Sequence, residues 1–210
     1  MNCLVTSLVL TMLLLVGCSK APDSKTPVPA PPALLSAEVQ AATAERGKAI
    51  IAETSSLLSS NLQAAIQQGG VSNALPFCSL VASPLTAGLG GKHGVTIRRV
   101  THKARNPADR ADASELAILK RFEAALTGTN PPPPLVTNWA GAAVTFFAPI
   151  VLNNEICLKC HGEPGKDISA ENFALIQRLY PQDEATGFKL GQLRGAWRID
   201  IPLANFSRTP

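Results

Sequence analysis

Cys157-Leu158-Lys159-Cys160-His161 carries the densest reactive chemistry in the chain. Two thiols three residues apart lie on the same side of one helical turn, where both can add to the two vinyl groups of a single porphyrin. The imidazole next in sequence is then held against the ring, where one nitrogen can bind iron. The pattern is that of covalent c-type haem attachment. Two other uses of Cys-x-x-Cys fit less well. A thioredoxin-like dithiol belongs in a βαβ context, which the sequence lacks. A structural zinc site needs a second ligand pair, and no second Cys-x-x-Cys or paired-His motif exists. One motif predicts one haem.

The amino terminus predicts where such chemistry would take place. Leu8 to Val16 is an apolar run broken by Thr11, too short to span a bilayer. It leads into Leu15-Val16-Gly17-Cys18, which reads as a bacterial lipobox. Residues 1–17 are then a signal peptide, and Cys18 becomes the lipidated first residue of the mature chain. An ordinary signal peptide cut elsewhere, or an uncleaved helix, is the competing reading. The stretch before the apolar run, Met1 to Thr6, is atypical in holding no Lys or Arg. Several acyl chains anchor stably where one binds only marginally. Ser19 resembles the outer-membrane sorting preference, so the expected location is the cell envelope, facing the periplasm. Residues 18–35 carry Pro22, Pro27, Pro29, Pro31 and Pro32 and read as an extended tether, rising about 3.1 Å per residue.

The remaining 36–210 should form one domain. The full chain has 210 residues, 46% of them hydrophobic, enough for a single well-packed core. Charged residues make up 16% and the net charge is +4, too sparse and scattered for a nucleic-acid surface.

The elements that must position the motif follow from local signals. Ser36 caps a long helix with a stripe of Ile51, Leu58, Leu62 and Ile66, stopped by Gly69-Gly70. A second helical piece starts near Asn73 and carries Cys78, with Pro76 in its first turn and Pro84 ending or kinking it. Val95 to His102, Ala143 to Val151 and Ala196 to Ile201 read as strands. Asn106-Pro107 makes a turn. Asp112 and Glu115 resemble a capping box opening a helix to about Leu126. Pro131 to Pro134 is a rigid loop, and Asn172 to Leu179 is helical. Without regular βαβ alternation, the expected class is α+β.

The iron's sixth position is open on residue types alone. Methionine, a common second ligand, occurs at Met1 and Met12 only, both in the expected leader. Candidates left are Cys78, His93, His102, a Lys, water or no ligand. His93 lies in a glycine-flanked turn and His102 at a strand end among basic residues; both suit solvated roles. Cys78 has no thiol partner once Cys157 and Cys160 hold a haem, though a buried free Cys is often inert.

An ordered series from about Asn61 to Ile201 resembles the PAS-like single-haem cytochrome c family of the cyanobacterial redox-sensor type. It comprises Cys78 followed by Pro84, then Arg99-Val100-Thr101 and Arg105-Asn106-Pro107 with Asp112 and Glu115. Ala148-Pro149-Ile150 precedes the Cys157–Gly162 motif. Tyr180-Pro181, Asp183, Ala185-Thr186-Gly187-Phe188, Gly191 and Arg194-Gly195 close the series. Asp109 and Trp197 depart from the family pattern. The resemblance implies a PAS-like antiparallel sheet with flanking helices, and His161 and Cys78 as the two axial ligands. A thiolate ligand stabilises ferric iron and lowers the potential relative to Met. It can also protonate and leave on reduction.

Among the basic residues, Arg98, Arg99, Lys103 and Arg105 could pair with haem propionates, Arg99 and Arg105 foremost. A solvated basic strand edge is the alternative. The expected role is redox or small-ligand sensing, with output through a separate signalling protein. A simple electron carrier with a redox partner protein is the alternative. An enzyme is not expected, since no acid/base pair stands out and a filled sixth site blocks substrate.

Overall fold

The computed structural model describes residues 35–128, 130–138 and 143–206. Cys18, the leader and nearly all of the tether lie outside the described residues. Ser36 begins the long helix α1 (Ala37–Leu80), its hydroxyl accepting from the Val39 N–H. Gly69 and Gly70 take non-helical backbone angles, so the expected stop is a kink that divides α1 into two pieces. Only a residue without a side chain adopts the +71° φ of Gly70 at no steric cost.

The apolar stripe does two different jobs. The face of α1 that meets the sheet is Thr43, Gly47, Ile50 and Thr54, all but Ile50 small or hydroxylated residues that a hydropathy pattern passes over. Thr43 and Thr54 bond back to the carbonyls of Val39 and Ile50, so neither hydroxyl is unsatisfied. A Cβ on Gly47 would collide with the Phe146 ring, which explains glycine in a helix interior. Leu62 and Ile66, further along the stripe, line a cavity instead.

A second helix, α2 (Ala82–His93), follows after a 48° bend. This corrects two expectations. The break falls at Val81 rather than at Pro84, which sits in the first turn of α2, where its missing N–H costs nothing. His93 is the last helical residue rather than part of a turn, and its Nε2 lies 2.7 Å from Glu53. Gly88, Gly90 and Gly91 gave the segment its loop-like look; Gly90 is needed because a Cβ there would meet the Val95 carbonyl oxygen at 2.8 Å.

Four strands form one antiparallel sheet in the order β1-β4-β3-β2: β1 (Thr96–Val100), β2 (Leu135–Asn138), β3 (Ala143–Val151) and β4 (Leu193–Pro202). The helix α3 (Ala113–Ala125) packs on one face and α1 with α2 on the other. Period-two alternation sorts the side chains. Phe146, Trp197, Ile199 and Ile201 join Ile50 and Leu89 on the α1/α2 side. Phe147 and Ala196 join Leu119 and Phe122 on the α3 side. The capping box is present: Asp112 accepts from Ser114 and Glu115, and Glu115 accepts from the Asp112 N–H. Two further helices, α4 (Glu155–His161) and α5 (Ala170–Leu179), complete the α+β fold. α5 clamps the second piece of α1 through Leu75, Ile168 and Ile176.

The β3–β4 register slips once. Ile150 pairs with Gly195 and Val151 with Leu193, so Arg194 is an extra, unpaired residue. Such a bulge re-aims side chains. Leu193 and Ala196 consequently share the α3 face.

Candidate functional site

The attachment pattern folds as α4, about two turns of helix placed shortly after β3. Asn154 caps it by accepting from the Ile156 N–H at 2.9 Å. The last carbonyls of a helix have no partner within it, and here other segments supply them. Leu158 O accepts from Gly162 N, His161 O from Phe188 N, and Gly162 O from Gly187 N. Cys160 O accepts from Arg105 Nη2 at 2.6 Å. Arg105 also pairs with Asp183 at 3.0 Å, in a pair whose side chains are only 11% and 6% exposed. Asp183 in turn accepts from the Ala185 N–H. The 183–188 segment is thereby folded against the end of α4.

This wrapping sets the imidazole. His161 Nδ1 lies 2.9 Å from the Ala185 carbonyl oxygen. A carbonyl only accepts, so Nδ1 carries the proton and Nε2 keeps its lone pair. Fixing one ring nitrogen so that the other can ligate is the usual way a protein presents histidine to a metal. Burial, reinforced by the nearby Arg194 and Arg105 charges, holds His161 well below the ordinary imidazole pKa, so the ring is neutral. Phe188 stands edge-on to it, with centroids 6.4 Å apart.

Cys157, Cys160 and His161 open into one cavity of about 320 Å³, and Cys78 lies on its wall. Cys78 comes from the second piece of α1, far away in sequence. Apolar walls are supplied by Leu62, Ile66, Leu75, Ile150 and Trp197. The three thiols are free. Burial raises the Cys160 thiol to about 11 and also raises Cys78, against the lowering pull of Arg99 and Arg105. A buried thiol with a raised pKa becomes a thiolate only beside a strong cation such as a metal ion.

The other residues singled out in sequence are distributed unevenly. Arg99 and Arg105 line the cavity, whereas Arg98 and Lys103 do not. Arg99 is 3.6 Å from Asp109, one of the two departures from the family pattern. Arg98 turns toward Glu115, and Lys103 donates to the Thr186 carbonyl. His102 lies near Phe188, 6.1 Å between centroids, and His93 pairs with Glu53; neither lines the cavity. Arg194 does line it, and no motif had assigned it a role. The visible signal was the Arg194-Gly195 pair at the start of a strand.

A thiol pair with a presented imidazole on one turn, a third thiol lining the same cavity, apolar walls and arginines fit a haem. They define an α+β domain built around a cysteine- and histidine-walled cavity. A family profile described as Tll0287-like matches residues 35–202, and the chain belongs to that family. Among solved structures, it is similar to the cyanobacterial heme-protein Tll0287, with 25% identity and a TM-score of 0.52. The alignment covers 75% of this chain and 94% of that one. No curated protein matches.

Proposed function

We propose that the protein is a single-haem c-type cytochrome lipoprotein that senses redox state or a small ligand. Cys157 and Cys160 hold the haem through thioethers, each thiol adding its S–H across one vinyl group. His161 Nε2 and the Cys78 sulfur would hold the iron. The observation that carries this reading is the meeting of Cys78 with the attachment motif in one apolar cavity. The family membership, and the naming of a relative as a heme-protein, support it.

A haem held here supplies a one-electron Fe(III)/Fe(II) couple. Arg105 and the 183–188 segment keep His161 in the tautomer that ligates. Cys78 is held less firmly: Pro76, two residues before it, lacks the N–H for a helical bond, and Leu80, two residues after it, is 72% exposed. A thiolate on such a segment can leave without disturbing the α4 side. Sensing needs that asymmetry.

A pyridine haemochrome spectrum with a c-type signature is expected, together with a low-spin thiolate signal in low-temperature EPR of the ferric protein. Absence of the first would remove the haem, and absence of the second would remove Cys78 from the iron.

The second reading, a simple electron carrier, rests on Ile156 at the cavity wall, 44% exposed and next to Cys157. An apolar rim at a haem edge is a docking surface for a redox partner. Stopped-flow reduction with CO or NO separates the two. Fast, ligand-independent exchange favours the carrier; slow ligand loss before CO binding favours the sensor.

Anchoring through Cys18, facing the periplasm, is part of the same proposal. Replacing Cys18 with Ser should move the protein from the membrane pellet to the soluble fraction on cell fractionation. Continued sedimentation with membranes would reject the lipobox.

A further inference from the structure

Three guanidiniums, Arg99, Arg105 and Arg194, line the cavity, and their partners differ. Arg105 is held by Asp183 and by the carbonyls of Cys160 and Ala185. Arg99, 36% exposed, faces Asp109. Arg194 has no carboxylate within ion-pair distance among the described residues. Its Nη1 donates to Thr101 Oγ1 at 2.8 Å and to the Lys103 carbonyl at 3.0 Å, which fixes the guanidinium plane. Its Nε is buried and has no partner. The Phe188 ring lies against it, 5.4 Å from the guanidinium carbon.

The nearest carboxylates, Asp109 and Asp183, are already paired with Arg99 and Arg105, and a buried cation with no direct ion pair of its own is costly, by several kcal/mol in order of magnitude. Burial and the two neighbouring arginines lower its pKa to about 10, against the raising pull of Asp109 and Asp183, so it remains charged at neutral pH. The backbone is built to put it there, because Arg194 is the extra residue of the β3–β4 bulge. Gly195, the next residue, passes so close to the Val100 carbonyl that a Cβ would not fit. A bulge and a glycine spent on aiming one charged side chain into a cavity point to an anionic ligand group.

Resting on the haem reading above, we propose that Arg194 is the buried guanidinium that receives a haem propionate, while Arg105 positions the attachment helix. A carboxylate is the anion that a haem brings. An Nε with no partner, beside an Nη1 already fixed, leaves a guanidinium N–H edge free to donate to it.

The test uses the full-length protein matured with haem. Arg194→Gln should lower the ferrous-to-ferric ratio at a given potential roughly tenfold, a midpoint about 59 mV lower for one electron. It should also shift the propionate bending band in resonance Raman. Arg194→Lys, which keeps charge but not the planar fork, should restore most of the potential and still shift the band. Arg105→Gln should instead lower the yield of attached haem and the melting temperature, while the propionate band of the loaded fraction stays unshifted. Wild-type potential and an unshifted band in Arg194→Gln would overturn the proposal. Should that variant not fold, an unshifted band in Arg194→Lys does the same. If no variant, nor the wild type, gives a c-type haemochrome, the haem reading itself has failed, a separable outcome.

Discussion

Under the ligation proposed above, replacing Cys78 with Ala is expected to abolish the low-spin thiolate EPR signal of the ferric protein and to raise its midpoint potential. The rise should be on the order of 100 mV, within the roughly 0.8 V that axial ligation spans. The covalent haem should remain, because Cys157 and Cys160 stand on α4 and the substituted residue on α1. His161 should also stay in place, since its Nδ1 is fixed by Ala185 and not by anything on α1. The variant should therefore bind CO in the ferrous state without the lag that ligand departure imposes. Potentiometry and EPR on the same sample check both parts. An unchanged ferric spectrum would mean that Cys78 is a half-buried thiol and nothing more.

The second large effect concerns stability rather than the iron. Glu115 is 1% exposed and forms the centre of a charged network beneath α3. Its Oε1 accepts from Arg198 Nη1 at 2.7 Å and Arg98 Nη1 at 3.4 Å, and its Oε2 accepts from the Asp112 N–H at 2.9 Å. Glu115→Ala removes the Glu115 half of the capping box and takes from Arg198, 11% exposed, one of its carboxylate partners. Breaking a buried pair from one side costs about 3–5 kcal/mol, which at roughly 2–4 °C per kcal/mol lowers the melting temperature by about 10 °C. Glu115→Gln keeps the packing and the cap geometry and should lose about half as much. Far-UV circular dichroism melts measure both; a shift under about 2 °C for the alanine variant would show that the network contributes little.

Legibility in the sequence tracked how local the determining physics is. The capping box at Asp112 and Glu115, the kink at Gly69-Gly70 and strand β3 were readable because each depends on neighbours within a few residues. Strand β2 was not foreseen. Its four residues, Leu135–Asn138, follow a run of prolines and become a strand only by pairing with β3. α2 was hidden by its glycines, one of which is there for close approach to β1. At the site, the attachment motif announced itself through residue type and spacing. Cys78 needed the missing methionine and the family resemblance as well. Arg194 was visible only within the Arg194-Gly195 pair; its direction comes from a one-residue slip between two strands, and slips leave no periodic trace. Arg105 was visible as a cation but not as the partner of the Cys160 carbonyl, a contact across 55 residues.

The distance along the chain between Cys78 and Cys157 has a mechanical consequence. Under the proposed ligation, α2, β1, α3, β2 and β3 all lie inside a ring closed by the prosthetic group. Closing a ring of that size removes roughly 4–5 kcal/mol of chain entropy from the unfolded ensemble. The sulfur–iron bond is then a reversible cross-link, fastened in the ferric state and unfastened when the thiolate departs. Most of the sheet would resist unfolding to different degrees in the two oxidation states. A protease or an amide-exchange experiment could then read the oxidation state of the iron directly from how tightly this domain is laced.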